Sequence, residues 1–180
     1  MKKTLIIFIA LLISSASSAK GFYGGIRGGV NFTSLTKTSD AQFKVGGNFG
    51  GFMGVQFASV AAIQLEALYS FQGTKFILQD DGHENLNLDY IKIPVMVKLY
   101  LIKGLNIEAG VSFNILTSAL LGGHKATGYN GFDFSIPVGL AYQFGRHFEL
   151  GARYDISTVK YHPRRTGSNS VWSVNVAWRF

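Results

Sequence analysis

The chain has 180 residues, with 17 Lys plus Arg against 10 Asp plus Glu and a formal net charge of +7. Its length suits one domain, and with no cysteine it has neither disulfides nor thiolate metal sites. Charged residues are only 15% of the chain and aromatics 14%, whereas a soluble surface usually carries about 25–35% charge, so the composition speaks against an ordinary soluble domain.

Residues 1–19 read as a secretory leader. Lys2 and Lys3 form the basic start, Leu5 to Ile13 the apolar run, and Ser17-Ser18-Ala19 the small residues before a cut. The run is far short of the ~20 residues an α-helical span needs. The expected mature domain is therefore 20–180. Two of the 17 basic residues leave with the leader, so the formal charge falls from +7 to +5. That excess favours anionic lipid head groups or phosphates, and nucleic acid is a poor partner for an exported chain.

Eight alternating segments follow. Phe22 to Phe32 sets Phe22, Ile26, Val30 and Phe32 against Tyr23, Arg27 and Asn31. Phe43 to Phe57 sets Val45, Phe49, Met53 and Val55 against Lys44, Asn48 and Gln56. Ile63 to Phe71 opposes Gln64, Glu66 and Ser70 to an apolar set, and Asp89 to Leu99 opposes Tyr90, Lys92 and Lys98. Leu105 to Ile115 carries Asn106, Glu108, Ser112 and Asn114 on its polar parity. Phe132 to Phe144 carries Asp133, Ser135 and Gln143, and Phe148 to Ile156 carries Glu149, Arg153 and Asp155. The last segment, Ser170 to Phe180, puts Trp172, Val174, Val176, Trp178 and Phe180 on one face. Such period-2 alternation marks strands, each near the ~9–11 residues that cross a bilayer when tilted.

Short connections (Ala58 to Ala62, Leu101 to Gly104, Gly145 to His147) alternate with long ones near 33–42, 72–88, 116–131 and 157–169. This predicts an all-β, eight-stranded antiparallel up-and-down transmembrane barrel, with short periplasmic turns and longer extracellular loops. A lipocalin-like soluble barrel would also alternate, with its apolar side inward. Two aromatic rings favour lipid. Phe32, Phe43, Phe71, Phe132, Tyr154 and Trp172 would gird the outer end, and Phe22, Phe57, Phe144, Phe148, Trp178 and Phe180 the periplasmic end.

The inward charges would be Arg27, Glu66, Lys92, Lys98, Glu108, Glu149, Arg153 and Asp155. Eight strands leave a lumen that side chains can fill, so these charges are expected to pair into a plug rather than line a path. Lys98 and Glu108 flank one short turn and are candidates to pair. Pro94 and Pro137 each remove a ladder donor, which predicts a bulge or irregular pairing. Among the loops, Lys160, His162, Arg164 and Arg165 form a basic extracellular segment suited to lipid phosphates. Asp80-Asp81-Gly82-His83-Glu84 lacks the spacing of a calcium loop, and no metal or cofactor is expected. A hydrolase would draw on His124 or His162 with Ser157 or Ser168, but no nucleophile elbow or His-x-Ser pairing is present. The chain is read as non-enzymatic.

The segments LDYIKIPVMVKLY (88–100), GLNIEAGVSFNIL (104–116), FDFSIPVGLAYQF (132–144) and LGARYDIS (150–157), with the aromatic C-terminus, resemble the PorT-like outer-membrane β-barrel family of Bacteroidota. The resemblance implies an integral outer-membrane barrel inserted by the barrel-assembly machinery, with Trp172, Val174, Val176, Trp178 and Phe180 as the insertion signal. It supplies no catalytic residues. Outer-membrane lipid, lipopolysaccharide and envelope proteins are the expected partners. An accessory subunit of a secretion or envelope assembly and a narrow pore are the alternative roles.

Overall fold

The computed structural model describes residues 21–35, 41–42, 44–77, 83–102, 104–121, 124–125, 131–160 and 168–180. The expected leader lies outside these residues, as do Asp80 to Gly82 and, of the basic segment, His162, Arg164 and Arg165. Eight long strands follow one another: β1 Phe22–Leu35, β2 Lys44–Ala58, β3 Ala61–Ile77, β4 His83–Ile102, β5 Leu105–Leu121, β6 Phe132–Phe144, β7 Phe148–Lys160 and β8 Ser168–Arg179. Two-residue strands, Ala41–Gln42 and His124–Lys125, pair with the far ends of β3 and β5.

Every strand pairs antiparallel with its chain neighbours. β1 also pairs with β8, from Gly25 opposite Arg179 to Leu35 opposite Asn169, and this closes the sheet into a barrel. Closure gives each of the eight long strands a ladder partner on both sides. At the short-turn end the chain reverses at Gly104 (φ 85°) and Gly145 (φ 64°), both in the left-handed region that glycine enters without strain.

Alternation sorts the two faces as the pattern requires. Ile26, Phe49, Ile63, Val97, Val111, Leu140, Val174 and Trp178 are exposed on the outside, whereas the opposite parity is buried in the lumen. The girdle residues Phe32, Phe71, Phe132 and Trp172 are exposed at one end, and Phe57, Phe144, Phe148, Trp178 and Phe180 at the other. Neighbouring rings touch within each girdle: Tyr154 and Trp172 have centroids 4.6 Å apart, and Phe144 and Phe148 5.8 Å. Phe43 lies outside the described residues.

One expectation is revised and another is narrowed. The connections expected as long loops at 72–88 and 116–131 are partly strand. β3 and β4 stay paired out to Ile77 opposite His83, and β4 and β5 out to Leu86 opposite Leu121. β4 has 20 residues, roughly 66 Å of extended chain, about twice what a tilted crossing uses. The ladder continues past the apolar stretch because each strand there is still paired by its neighbour, although the period-2 hydrophobic signal has ended. The prolines produce irregular pairing but no bulge. Opposite Pro94 the β3–β4 ladder skips from Leu65–Val95 to Leu68–Lys92, and next to Pro137 the β5–β6 ladder skips from Ala109–Val138 to Ser112–Ser135; both resume in the same register. A missing donor thus costs bonds on one side only, since Pro94 still faces Ser112 and Pro137 still faces Asp155 across their other ladders.

Candidate functional site

The lumen brings together all eight inward charges read from the sequence, in two separate groups. Arg27, Lys98 and Arg153 meet Glu66, Glu108 and Glu149 in one cluster. Lys92 and Asp155 form a second pair nearer the long-strand end. Both groups are charge-balanced.

Register explains how the cluster assembles. Glu108 on β5 faces Gly139 on β6, which faces Arg153 on β7. Arg153 and Glu108 are therefore two strands apart, and the residue between them has no side chain. A Cβ on Gly139 would lie 2.8 Å from Arg153 Cγ, so glycine is what allows the arginine to lie across β6. Likewise Arg27 on β1 faces Ala177 on β8, which faces Glu149 on β7. A small residue between each pair lets a long side chain bridge it.

Arg153 is the hub. Its Nη1 and Nη2 donate to the two oxygens of Glu66, each at 2.7 Å, in a bidentate pair. Nε donates to Glu108 Oε1 at 3.0 Å and Nη2 to Glu108 Oε2 at 2.8 Å. Arg27 donates through Nη2 to Glu149 at 2.7 Å. Lys98 does stand opposite Glu108, at 3.7 Å, but its hydrogen bonds go across the lumen to both oxygens of Glu149, at 2.7 and 2.8 Å. The side chains of Glu66 and Glu108 are 0% exposed. Carboxylates this enclosed stay in place only when paired and hydrogen-bonded.

Neutral groups extend the network on both sides of the cluster. Gln64 Nε2 donates to Glu66 at 2.6 Å, and Gln64 Oε1 accepts from Tyr23 OH at 3.1 Å. Farther along the lumen, Asn48 donates to Asn31 at 2.6 Å, and Asn31 and Gln72 each donate to Ser70 at 3.0 Å. On the opposite wall Ser157 donates to Asp133 at 2.6 Å, and Asn114 donates to Ser135 at 3.0 Å. The sequence placed these residues on the inward parity, except Gln72 and Ser157, which it left in connections, but could not show their partners. It also did not show the apolar residues that share the lumen, among them Phe52, Leu68 and Met96. Between Asn31, Leu68, Lys92 and Arg153 a cavity of about 10 Å³ remains, room for one water at most.

The hydrolase candidates do not assemble among the described residues. Ser157 bonds an aspartate, and His162 is outside them. His124 and Ser168 fall on different strands, in the short His124–Lys125 piece and at the start of β8. Lys160 ends β7.

Residues 14–157 match the family model described as "Outer membrane protein beta-barrel domain". The chain belongs to this family. Its members are integral to the outer membrane, so the short turns face the periplasm and the long strand ends face outward. Solved barrels share the fold at low identity. Neisserial surface protein A is 15% identical with a TM-score of 0.59, covering 91% of this chain and 99% of that one. Ail, the attachment invasion locus protein of Yersinia pestis, is 12% identical with a TM-score of 0.52, covering 89% and 99%. A de novo designed transmembrane β-barrel is 9% identical with a TM-score of 0.50, covering 89% and 98%. No curated protein gives a significant match.

Proposed function

We propose that the protein is a non-enzymatic outer-membrane surface barrel whose lumen is closed by its own salt bridges and whose work is done by the outward strand ends and loops. The observation that carries this reading is the balanced, buried cluster of Arg27, Glu66, Lys98, Glu108, Glu149 and Arg153, which spans the lumen and leaves no side chain in it free to follow an ion. A barrel sealed this way is a rigid stem. The paired extensions of β3, β4 and β5 raise a backbone platform beyond the bilayer, and the basic segment Lys160, His162, Arg164 and Arg165 adjoins the outer end of β7.

On this reading the outward partners are anionic: lipopolysaccharide phosphates first, and host or envelope polyanions second. Ail was solved in complex with the heparin analogue sucrose octasulfate, and the basic outer segment here carries charge that suits a polyanion. The finer assignment to the PorT-like barrels of Bacteroidota rests on the strand motifs quoted above, and with it go removal of residues 1–19 and insertion by the barrel-assembly machinery through Trp172, Val174, Val176, Trp178 and Phe180. A role as an accessory subunit of an envelope assembly would use the same platform.

The test is binding of the purified full-length mature barrel, in nanodiscs, to lipopolysaccharide, compared with a variant carrying Lys160→Gln, His162→Gln, Arg164→Gln and Arg165→Gln. The proposal expects salt-sensitive binding that the variant loses at least ten-fold. Equal binding by both proteins removes the basic segment from the function. Mild-detergent extraction followed by mass spectrometry separates a lone barrel from an assembly subunit.

A further inference from the structure

The periplasmic mouth of the barrel holds a second feature, unconnected with the outer loops. A cavity of about 720 Å³ opens there, lined chiefly by Gln56, Tyr100, Tyr142, Gln143, Arg146 and Arg179. Its size is that of a small-molecule site, and it is some seventy times the void left in the middle of the lumen. An apolar layer adjoins it. Tyr23, Phe52, Ala62 and Ala177 pack into a buried cluster, with Tyr100, a lining residue of the cavity, against it. The cavity is therefore a vestibule backed on one side by apolar side chains.

Its side-chain charge is positive. Two guanidinium groups line it and no acidic side chain does, and the backbone carboxylate of Phe180, which also lines it, leaves the wall with a cationic excess. Neither Arg146 nor Arg179 makes an ion pair among the described residues. Glu149, two residues into β7 from His147, is already held by Arg27 and Lys98. The six-residue cluster and the Lys92–Asp155 pair are matched in charge, whereas Arg146 and Arg179 have no opposite partner among the described residues.

The site is also preorganised. The Arg179 guanidinium lies 3.8 Å from the centre of the Tyr23 ring. The backbone of Arg179 is tied to His147 by its N–H, at 2.6 Å to the His147 carbonyl, and the His147 ring bonds the Arg179 carbonyl through Nδ1 at 2.8 Å. Gln143 Nε2 donates to the carbonyls of Gly145 and Arg146 at 3.2 and 3.3 Å, which fixes the turn carrying Arg146. Two tyrosine rings and two carboxamides complete the wall. Fixed cations beside aromatic faces and amides suit a sugar-sized ligand with one oxyanion.

We infer that the periplasmic mouth binds an anionic saccharide-sized ligand, a sugar phosphate or sugar carboxylate of the envelope, with Arg146 and Arg179 holding the oxyanion. The ligand arrives from the aqueous periplasm, which the short-turn end of the barrel faces.

Trp178 reports on the site through His147, a lining residue on which its indole stacks with centroids 5.4 Å apart. The chain has two tryptophans, so Trp172→Phe leaves Trp178 as the single fluorophore in the full-length mature barrel in zwitterionic micelles. Titration with glucose 6-phosphate is expected to give a saturable fluorescence change, and glucose none. Arg146→Gln, in an exposed turn, is expected to weaken the response at least ten-fold while the folded band persists in unheated gels. Arg179→Gln should do the same if it assembles, and Arg146→Gln alone decides the matter if it does not. Glucuronate in place of glucose 6-phosphate distinguishes a carboxylate source from a phosphate source, and saturation by either supports the site. An equal response to glucose, no saturable response to either anion, or an unchanged response in Arg146→Gln overturns it.

Discussion

The lumen has two halves that solve one problem in different ways. Toward the periplasm, long charged side chains from β1, β3, β4, β5 and β7 meet in a six-residue cluster. Toward the outside, short amides and hydroxyls such as Asn31, Asn48, Ser70, Asn114 and Ser135 bond to near neighbours. The first depends on partners far apart in sequence, with Arg153 and Glu66 separated by 87 residues. The second mostly uses adjacent strands. The ionic half should therefore be cooperative and fragile to single changes, and the neutral half tolerant.

Removing the hub tests that difference most strongly. Arg153→Ala would strand Glu66 and Glu108, both fully enclosed, and should cost about 3–5 kcal/mol; urea unfolding in micelles, followed by gel mobility, measures it. Charge on the outer face comes next. Arg in place of Val174 or Val111 should cost about 2–4 kcal/mol at the bilayer midplane, and a neutral result at both sites would mean that these faces do not meet lipid. Asn31→Ala removes a bridge between β2 and β3 and should cost about 1–2 kcal/mol in the same assay. Asn106→Ala should change stability least. Its amide is fully buried and neither of its polar atoms has a hydrogen-bond partner among the described residues, so truncation removes a desolvation cost and the variant should be neutral or slightly more stable. A loss as large as that of Asn31→Ala would show that Asn106 has a bonded partner and would move it into the network.

The two faces of the wall were not equally legible. Outward residues such as Val97, Val111 and Val174 need only be apolar, so alternation alone identified them. Inward charges were legible by parity, which correctly gathered Arg27, Glu66, Lys92, Lys98, Glu108, Glu149, Arg153 and Asp155 into one lumen. Their pairing was not, because it depends on register across several strands. Nothing near Glu108 or Arg153 in sequence indicates that Gly139 stands between them. Local adjacency favoured Lys98 with Glu108, yet Glu149 from across the barrel takes the hydrogen bonds of Lys98. The extensions of β3 to β5 were hidden for another reason: beyond the bilayer a strand paired by its neighbours has no need of alternating hydrophobicity. The vestibule escaped notice because Arg146 lies in a turn and Arg179 in a strand, 33 residues apart, and they share a space only once β8 closes against β7 and β1.

Single-channel recording in planar bilayers tests the central claim that the lumen is closed by its own charges. The purified mature barrel should insert without discrete current steps over ordinary salt and voltage ranges, whereas Arg153→Ala, if it assembles, should give flickering leaks. Stable, reproducible openings from the unaltered protein would contradict the sealed stem and put the narrow-pore alternative in its place.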